Sequence, residues 1–92
     1  MSDKTESICY YLLKELIPES QINSLEKTPA RFSATLHYLT GGYNVDINNV
    51  VNGALYDVTS NDCISVSDID FYSLCEHHFI PFFGKCSVMY IP

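Results

Sequence analysis

The chain has 92 residues, 47% of them hydrophobic, with five Lys and Arg against eleven Asp and Glu and a net charge of −6. That is enough for one small domain, and a domain of this size buries a smaller share of its surface than a larger one. The acidic balance argues against a nucleic-acid groove or an anionic membrane surface as the main partner, while leaving room for a local basic pocket for a single phosphate ester.

The N-terminal residues Met1-Ser2-Asp3-Lys4-Thr5-Glu6 lack the basic start and apolar run of a signal peptide. No apolar stretch approaches the length of a membrane span. The four cysteines, Cys9, Cys63, Cys75 and Cys86, are therefore expected to be reduced thiols of a cytoplasmic protein.

Ile8, Leu12 and Leu16 recur at four-residue spacing with Tyr11 beside them. This predicts an amphipathic helix with that stripe as its buried face, stopped by Pro18. A second helix is expected to start at Thr28 as N-cap, with Pro29 in the first helical position, where its missing N–H is harmless. Phe32, Leu36 and Leu39 form its stripe, and Gly41-Gly42 its stop. A weaker third helix over about 46–56 would be capped by Asp46, with Ile47, Val50, Val51 and Leu55 facing inward. Ser60-Asn61-Asp62 reads as a turn.

The pattern then changes to that of strands. Ile64 and Val66 alternate with Ser65 and Ser67, after which Ile69 and Phe71 take the apolar positions. A bulge near Asp68 accounts for the change of phase. A polar cluster at 75–78 and an apolar stretch at 79–83 follow, and after Gly84 a last strand is predicted over 85–91. Two strands are too few for an independently stable sheet, and their uncovered edge invites association.

Ser73-Leu74-Cys75-Glu76-His77-His78 places a thiol, a carboxylate and two imidazoles in consecutive positions. Cys and His are good zinc ligands, and on a turn after a strand Cys75 and His78 can converge on one ion. His77 and Glu76 are then left for proton transfer or for orienting a ligand. A single Cys-x-x-His supplies only two ligands, however. In the structural alternative Cys75 is a small buried apolar residue and the histidines are exposed at a strand end. Cys9, Cys63 and Cys86 read as core residues, and Arg31 and His37 as helix-surface groups.

The run Asp68-Ile69-Asp70-Phe71-Tyr72-Ser73-Leu74-Cys75-Glu76-His77-His78-Phe79-Ile80-Pro81-Phe82-Phe83-Gly84-Lys85, continuing to Tyr90-Ile91-Pro92, closely resembles the signature region of GTP cyclohydrolase I. Lys27-Thr28-Pro29-Ala30-Arg31, running on to Gly41-Gly42-Tyr43, is similar to that family's Thr-Pro-x-Arg helix and the Gly-Tyr after it. The resemblance covers about residues 25–92, with order and spacing kept.

It implies an α+β chain, N-terminal helices followed by the first two antiparallel strands of a tunnelling fold. Residues 1–92 would form one incomplete domain, with a helical region 1–58 and a strand pair 59–92. It also implies hydrolysis of GTP to 7,8-dihydroneopterin triphosphate and formate, in pterin or folate synthesis. By the same resemblance Cys75 and His78 are two of three protein ligands of Zn2+, His77 is the catalytic histidine, and Arg31 reaches the triphosphate in a neighbouring subunit's site. Some members carry a further basic residue three positions after that arginine, where this chain has Ala34.

The family continues past Tyr-Ile-Pro with the third zinc ligand, a guanine-reading Glu and the main phosphate-binding residues. The expected partners are therefore GTP and either further copies in a homo-oligomer or a chain carrying the C-terminal half, with neither nucleic acid nor membrane. By itself the chain is expected to be inactive. The alternative is a small zinc-binding or interaction module without catalysis.

Overall fold

The computed structural model describes residues 4–58 and 61–92. Among the described residues four α-helices precede two antiparallel strands, in keeping with the α+β expectation. The chain divides into two compact units, one ending at Tyr38 and the other beginning at Leu39.

In the first unit, α1 (Lys4–Leu16) ends just before Pro18. Its buried face differs from the one the apolar spacing marks. Cys9 is 2% exposed, and Leu13 and Ile17, four and eight residues on, are half-buried. Ile8, Tyr11, Leu12 and Leu16 are all exposed. The stripe Cys9-Leu13-Ile17 lies one residue around the helix from the expected one. A thiol and two aliphatic side chains pack inward, and the more hydrophobic stripe is left open. A short helix α2 (Glu19–Ile22) and a 3-10 turn (Asn23–Leu25) follow, which no periodic signal in the sequence marks.

Helix α3 (Thr28–Leu39) opens with the Arg31 amide donating to the Lys27 carbonyl at 3.2 Å. Pro29 thus falls in the first turn, where a missing N–H breaks no intrahelical bond. Pro29 and Ser33 are buried, and Phe32, Leu36 and Leu39 are half-buried. Here the expected stripe does face inward, although its most deeply covered members are the small residues beside it.

In the second unit, a 3-10 turn (Gly41–Asn44) leads to α4 (Ile47–Val51). Asp46 caps α4 as expected, its carboxylate accepting from the Asn48 amide at 2.9 Å. The helix is only five residues long, because Asn52 (φ 48°) and Gly53 (φ 73°) take left-handed conformations that end it. The expected inward face is correspondingly absent: Ile47, Val50 and Leu55 are exposed, and Val51 alone is half-buried. Of the Ser60-Asn61-Asp62 turn, Ser60 lies outside the described residues.

Strands β1 (Ile64–Leu74) and β2 (Pro81–Tyr90) pair from Ile64↔Tyr90 to Leu74↔Pro81. The second strand starts four residues before the predicted 85, since Pro81 is tolerated as a first strand residue. The expected bulge is present. Val66 pairs with Val88 and Ile69 with Cys86, so Ser67 and Asp68 together oppose Ser87. Asp68 adopts φ 57°, and its amide donates to Ser87 Oγ at 3.3 Å. The extra residue keeps Ile64, Val66, Ile69 and Phe71 on one face of the hairpin.

That face is not covered as the alternation implies. Ile64, Val66, Ile69 and Phe71 are each more than a third exposed. Cys63 and Cys86, read as core, are exposed too. Cys86 lies opposite Ile69 on this open face. The hairpin is stabilised by cross-strand contacts instead. Phe71 and Phe82 meet edge to face at 6.0 Å, Tyr72 stacks on Phe83 at 6.3 Å, and Lys85 Nζ bonds Asp70 at 2.7 Å.

The two stripes of α1 make different predictions. Cys9→Asp, which puts a carboxylate into a buried position, is expected to lower stability by at least about 2 kcal/mol. Leu12→Asp, on the open stripe, is expected to change it by less than about 1 kcal/mol. Urea denaturation followed by circular dichroism measures both. Equal losses would restore the face marked by the sequence.

Candidate metal centre

The polar cluster occupies the tip of the β1–β2 hairpin. Past Leu74 the Cys75 amide donates to the Ile80 carbonyl at 2.8 Å, and the Phe79 amide returns to the Cys75 carbonyl at 2.8 Å. These two bonds engage both backbone groups of Cys75 and leave 76–79 as the loop between the strands. Phe79 closes the loop with φ 57°, a left-handed conformation rarely adopted by a bulky side chain.

Within this loop the Cys75 sulfur lies 3.4 Å from His78 Nδ1. Two donors of one tetrahedral zinc ion, at about 2.3 Å for sulfur and about 2.0 Å for nitrogen, lie about 3.5 Å apart. The pair therefore fits one edge of such a site, and the two are of the residue types zinc prefers. Among the described residues no group of three His, Cys, Asp or Glu side chains is placed to hold a metal ion. Cys75 is half-buried, and Glu76, His77 and His78 are exposed.

Two hollows meet at Cys75 and Glu76. One, of about 390 Å³, is bounded by Thr40, Gly42, Tyr43 and Leu74 and by Phe79. The other, of about 590 Å³, adds His78, Ile80 and Phe82. Cys75 thus faces both hollows, and His78 faces the second.

Arg31 belongs to the helical unit. It is exposed on α3, its carbonyl accepting from Thr35 Oγ1 at 2.9 Å. The sequence places Cys75 and His78 together and the structure agrees. Tyr43 entered the sequence reading only through the resemblance, and Thr40 and the conformation of Phe79 were passed over. Thr40 and Tyr43 are more than 30 residues from the cluster. A phenylalanine gives no sign of a left-handed backbone, as a Gly or Asn in its place would.

The family model of GTP cyclohydrolase I matches residues 5–92. The chain belongs to the GTP cyclohydrolase I family. Among its relatives, GTP cyclohydrolase 1 of Leptospira biflexa is 41% identical over 87 residues, which are 95% of this chain and 48% of the relative. The Campylobacter jejuni protein of that name is 44% identical over 85 residues, 91% of this chain and 45% of the relative. The Pseudoalteromonas atlantica protein is 37% identical over all 92 residues, half of its own length. The chain thus spans about half the length of the curated relatives it matches. Among the described residues no helix is long and apolar enough to cross a membrane.

The exposure of the four thiols is directly measurable. Alkylation of the native chain should label Cys63 and Cys86 first and Cys75 more slowly, with Cys9 protected until the helices unfold. Peptide mapping by mass spectrometry over a time course reads the order. Early labelling of Cys9 would contradict the packing of α1.

Proposed function

We propose that this chain carries the N-terminal part of a GTP cyclohydrolase I catalytic site, in which Cys75 and His78 are two zinc ligands. The whole site converts GTP to 7,8-dihydroneopterin triphosphate and formate, in a cytoplasmic setting where thiols stay reduced. The observation that carries the reading is the 3.4 Å approach of Cys75 Sγ and His78 Nδ1 at the tip of a hairpin in a chain of this family. Zinc held by such a set is a Lewis acid that lowers the pKa of water toward neutrality, supplying the nucleophile that hydrolysis needs.

The residues of the chain take distinct parts. His77, exposed beside the ligand pair, is suited to give or take a proton at the imidazole ring of the guanine, the part a positioned imidazole plays in general acid–base catalysis. Arg31 offers a planar guanidinium for the triphosphate of a substrate bound in a neighbouring subunit. With Ala34 three positions on, α3 brings one cation to that task. A catalytic zinc site uses three protein ligands. The third comes from the C-terminal half of the family's fold, in another segment or another chain, within a homo-oligomer.

Two expectations follow for the 92-residue chain. By itself it binds Zn2+ weakly, and Cys75→Ala or His78→Ala abolishes that binding, as calorimetry can determine. Tight binding unchanged by Cys75→Ala would move the site elsewhere.

By itself it also forms no dihydroneopterin triphosphate, as fluorescence after oxidation to neopterin shows. Co-expression with the C-terminal half of the Campylobacter jejuni relative restores turnover. In that complex His77→Ala lowers kcat by at least about 100-fold. Arg31→Ala raises KM for GTP by roughly tenfold. A complex that assembles and holds zinc yet releases no formate would instead identify a metal-binding interaction module.

A further inference from the structure

The hairpin tip contains a strained residue that the proposed chemistry leaves unused. Phe79 lies in the left-handed region at φ 57°, where an L side chain brings Cβ against the following carbonyl oxygen. Phe79 is 57% exposed, and among the described residues its ring pairs with no other aromatic ring. The ring thus gives little return for the unfavourable backbone. Such conformations persist where the surrounding structure over-determines them, and they concentrate at ligand-holding sites.

The backbone around Phe79 shows what the conformation achieves. Its amide reaches back to the Cys75 carbonyl, and the Cys75 amide is held by the carbonyl of Ile80, the next residue along. Both bonds are 2.8 Å long. A left-handed residue at 79 turns the chain sharply enough to make both. Without it, the strand would have to leave the loop in another direction, and Cys75 would lose one or both anchors. His78 is the residue immediately before that turn, so its direction of approach to the Cys75 sulfur depends on the same dihedral angles.

We propose that Phe79 is a positioning residue whose left-handed backbone, and not its ring, sets the approach of the Cys75 sulfur to His78 Nδ1. The proposal rests on the reading of this pair as zinc ligands. It separates two roles that are usually confounded, because glycine keeps the backbone conformation and removes the ring. Valine keeps apolar bulk but resists the conformation through its branched Cβ. A role for the ring predicts that Phe79→Gly is the more damaging change. A role for the backbone predicts the reverse order.

The test titrates the wild-type chain, Phe79→Gly, Phe79→Val and a Cys75→Ala control with Co2+, reading thiolate-to-cobalt absorption in the near ultraviolet. Amide hydrogen exchange of Cys75 and Phe79 is followed in the same metal-free proteins. The expected result is Co2+ affinity for Phe79→Gly equal to or above wild type, and on the order of tenfold weaker for Phe79→Val. The Cys75 and Phe79 amides stay protected in Phe79→Gly and lose protection in Phe79→Val. Binding by Phe79→Gly as weak as or weaker than that of Phe79→Val would overturn the proposal, as would equal binding and equal protection in all three. Absence of a Cys75-dependent band from the wild type, with the exchange order as expected, would defeat the zinc reading and leave the positioning role supported.

Discussion

The hydrogen bond from the Cys75 amide to the Ile80 carbonyl is the constraint on which the candidate site depends. It is the last rung above a ladder of paired residues ending at Leu74↔Pro81, and it fixes where strand ends and loop begins. Cys75 is therefore anchored like a strand residue, while Glu76, His77 and His78 are free to project from a short loop. Side chains on a rigid element hold their relative geometry better than side chains on a mobile segment. The 3.4 Å sulfur–nitrogen approach follows from that anchoring.

A second irregularity lies at the other end of the hairpin. The bulge at Asp68 inserts one residue into β1, and the amide it displaces from the ladder finds the Ser87 hydroxyl. Without the bulge, all residues of β1 on one side of it would exchange faces. Phe71 would then leave the face on which it meets Phe82 and lies over Gly84, where an added Cβ would come within 3.0 Å of its ring. Two left-handed residues, Asp68 and Phe79, thus bracket the part of the hairpin that leads into the cluster. One keeps the strand faces in phase, and the other turns the chain beside Cys75 and His78.

The helical unit obeys a different balance. Its most buried side chains are small: Cys9, Pro29 and Ser33. Ile8, Leu12 and Leu16 of α1 remain exposed. The open stripe of α1 and the open face of β1 are both more hydrophobic than a solvated surface of this size needs to be. They belong to a chain that spans about half the length of its relatives.

Much of this was legible in the residues alone. Proline and glycine punctuation located α1 and α3, and Asp46 marked the cap of α4. The shift of alternation between Val66 and Ile69 placed a bulge near Asp68, because a period-two pattern changes phase only if a residue is inserted. The Cys-Glu-His-His run singled out Cys75 and His78 as candidate ligands, since few side chains ligate zinc, and the two side chains do meet. Burial was decided by the tertiary structure. Periodicity says which residues share a face, but not whether another element packs there, so Ile8, Leu12, Ile64 and Val66 read as inward and are exposed. The left-handed turn at Phe79 was likewise invisible. Its cause is the closure of two hydrogen bonds across the loop, a property of where the strands meet and not of phenylalanine.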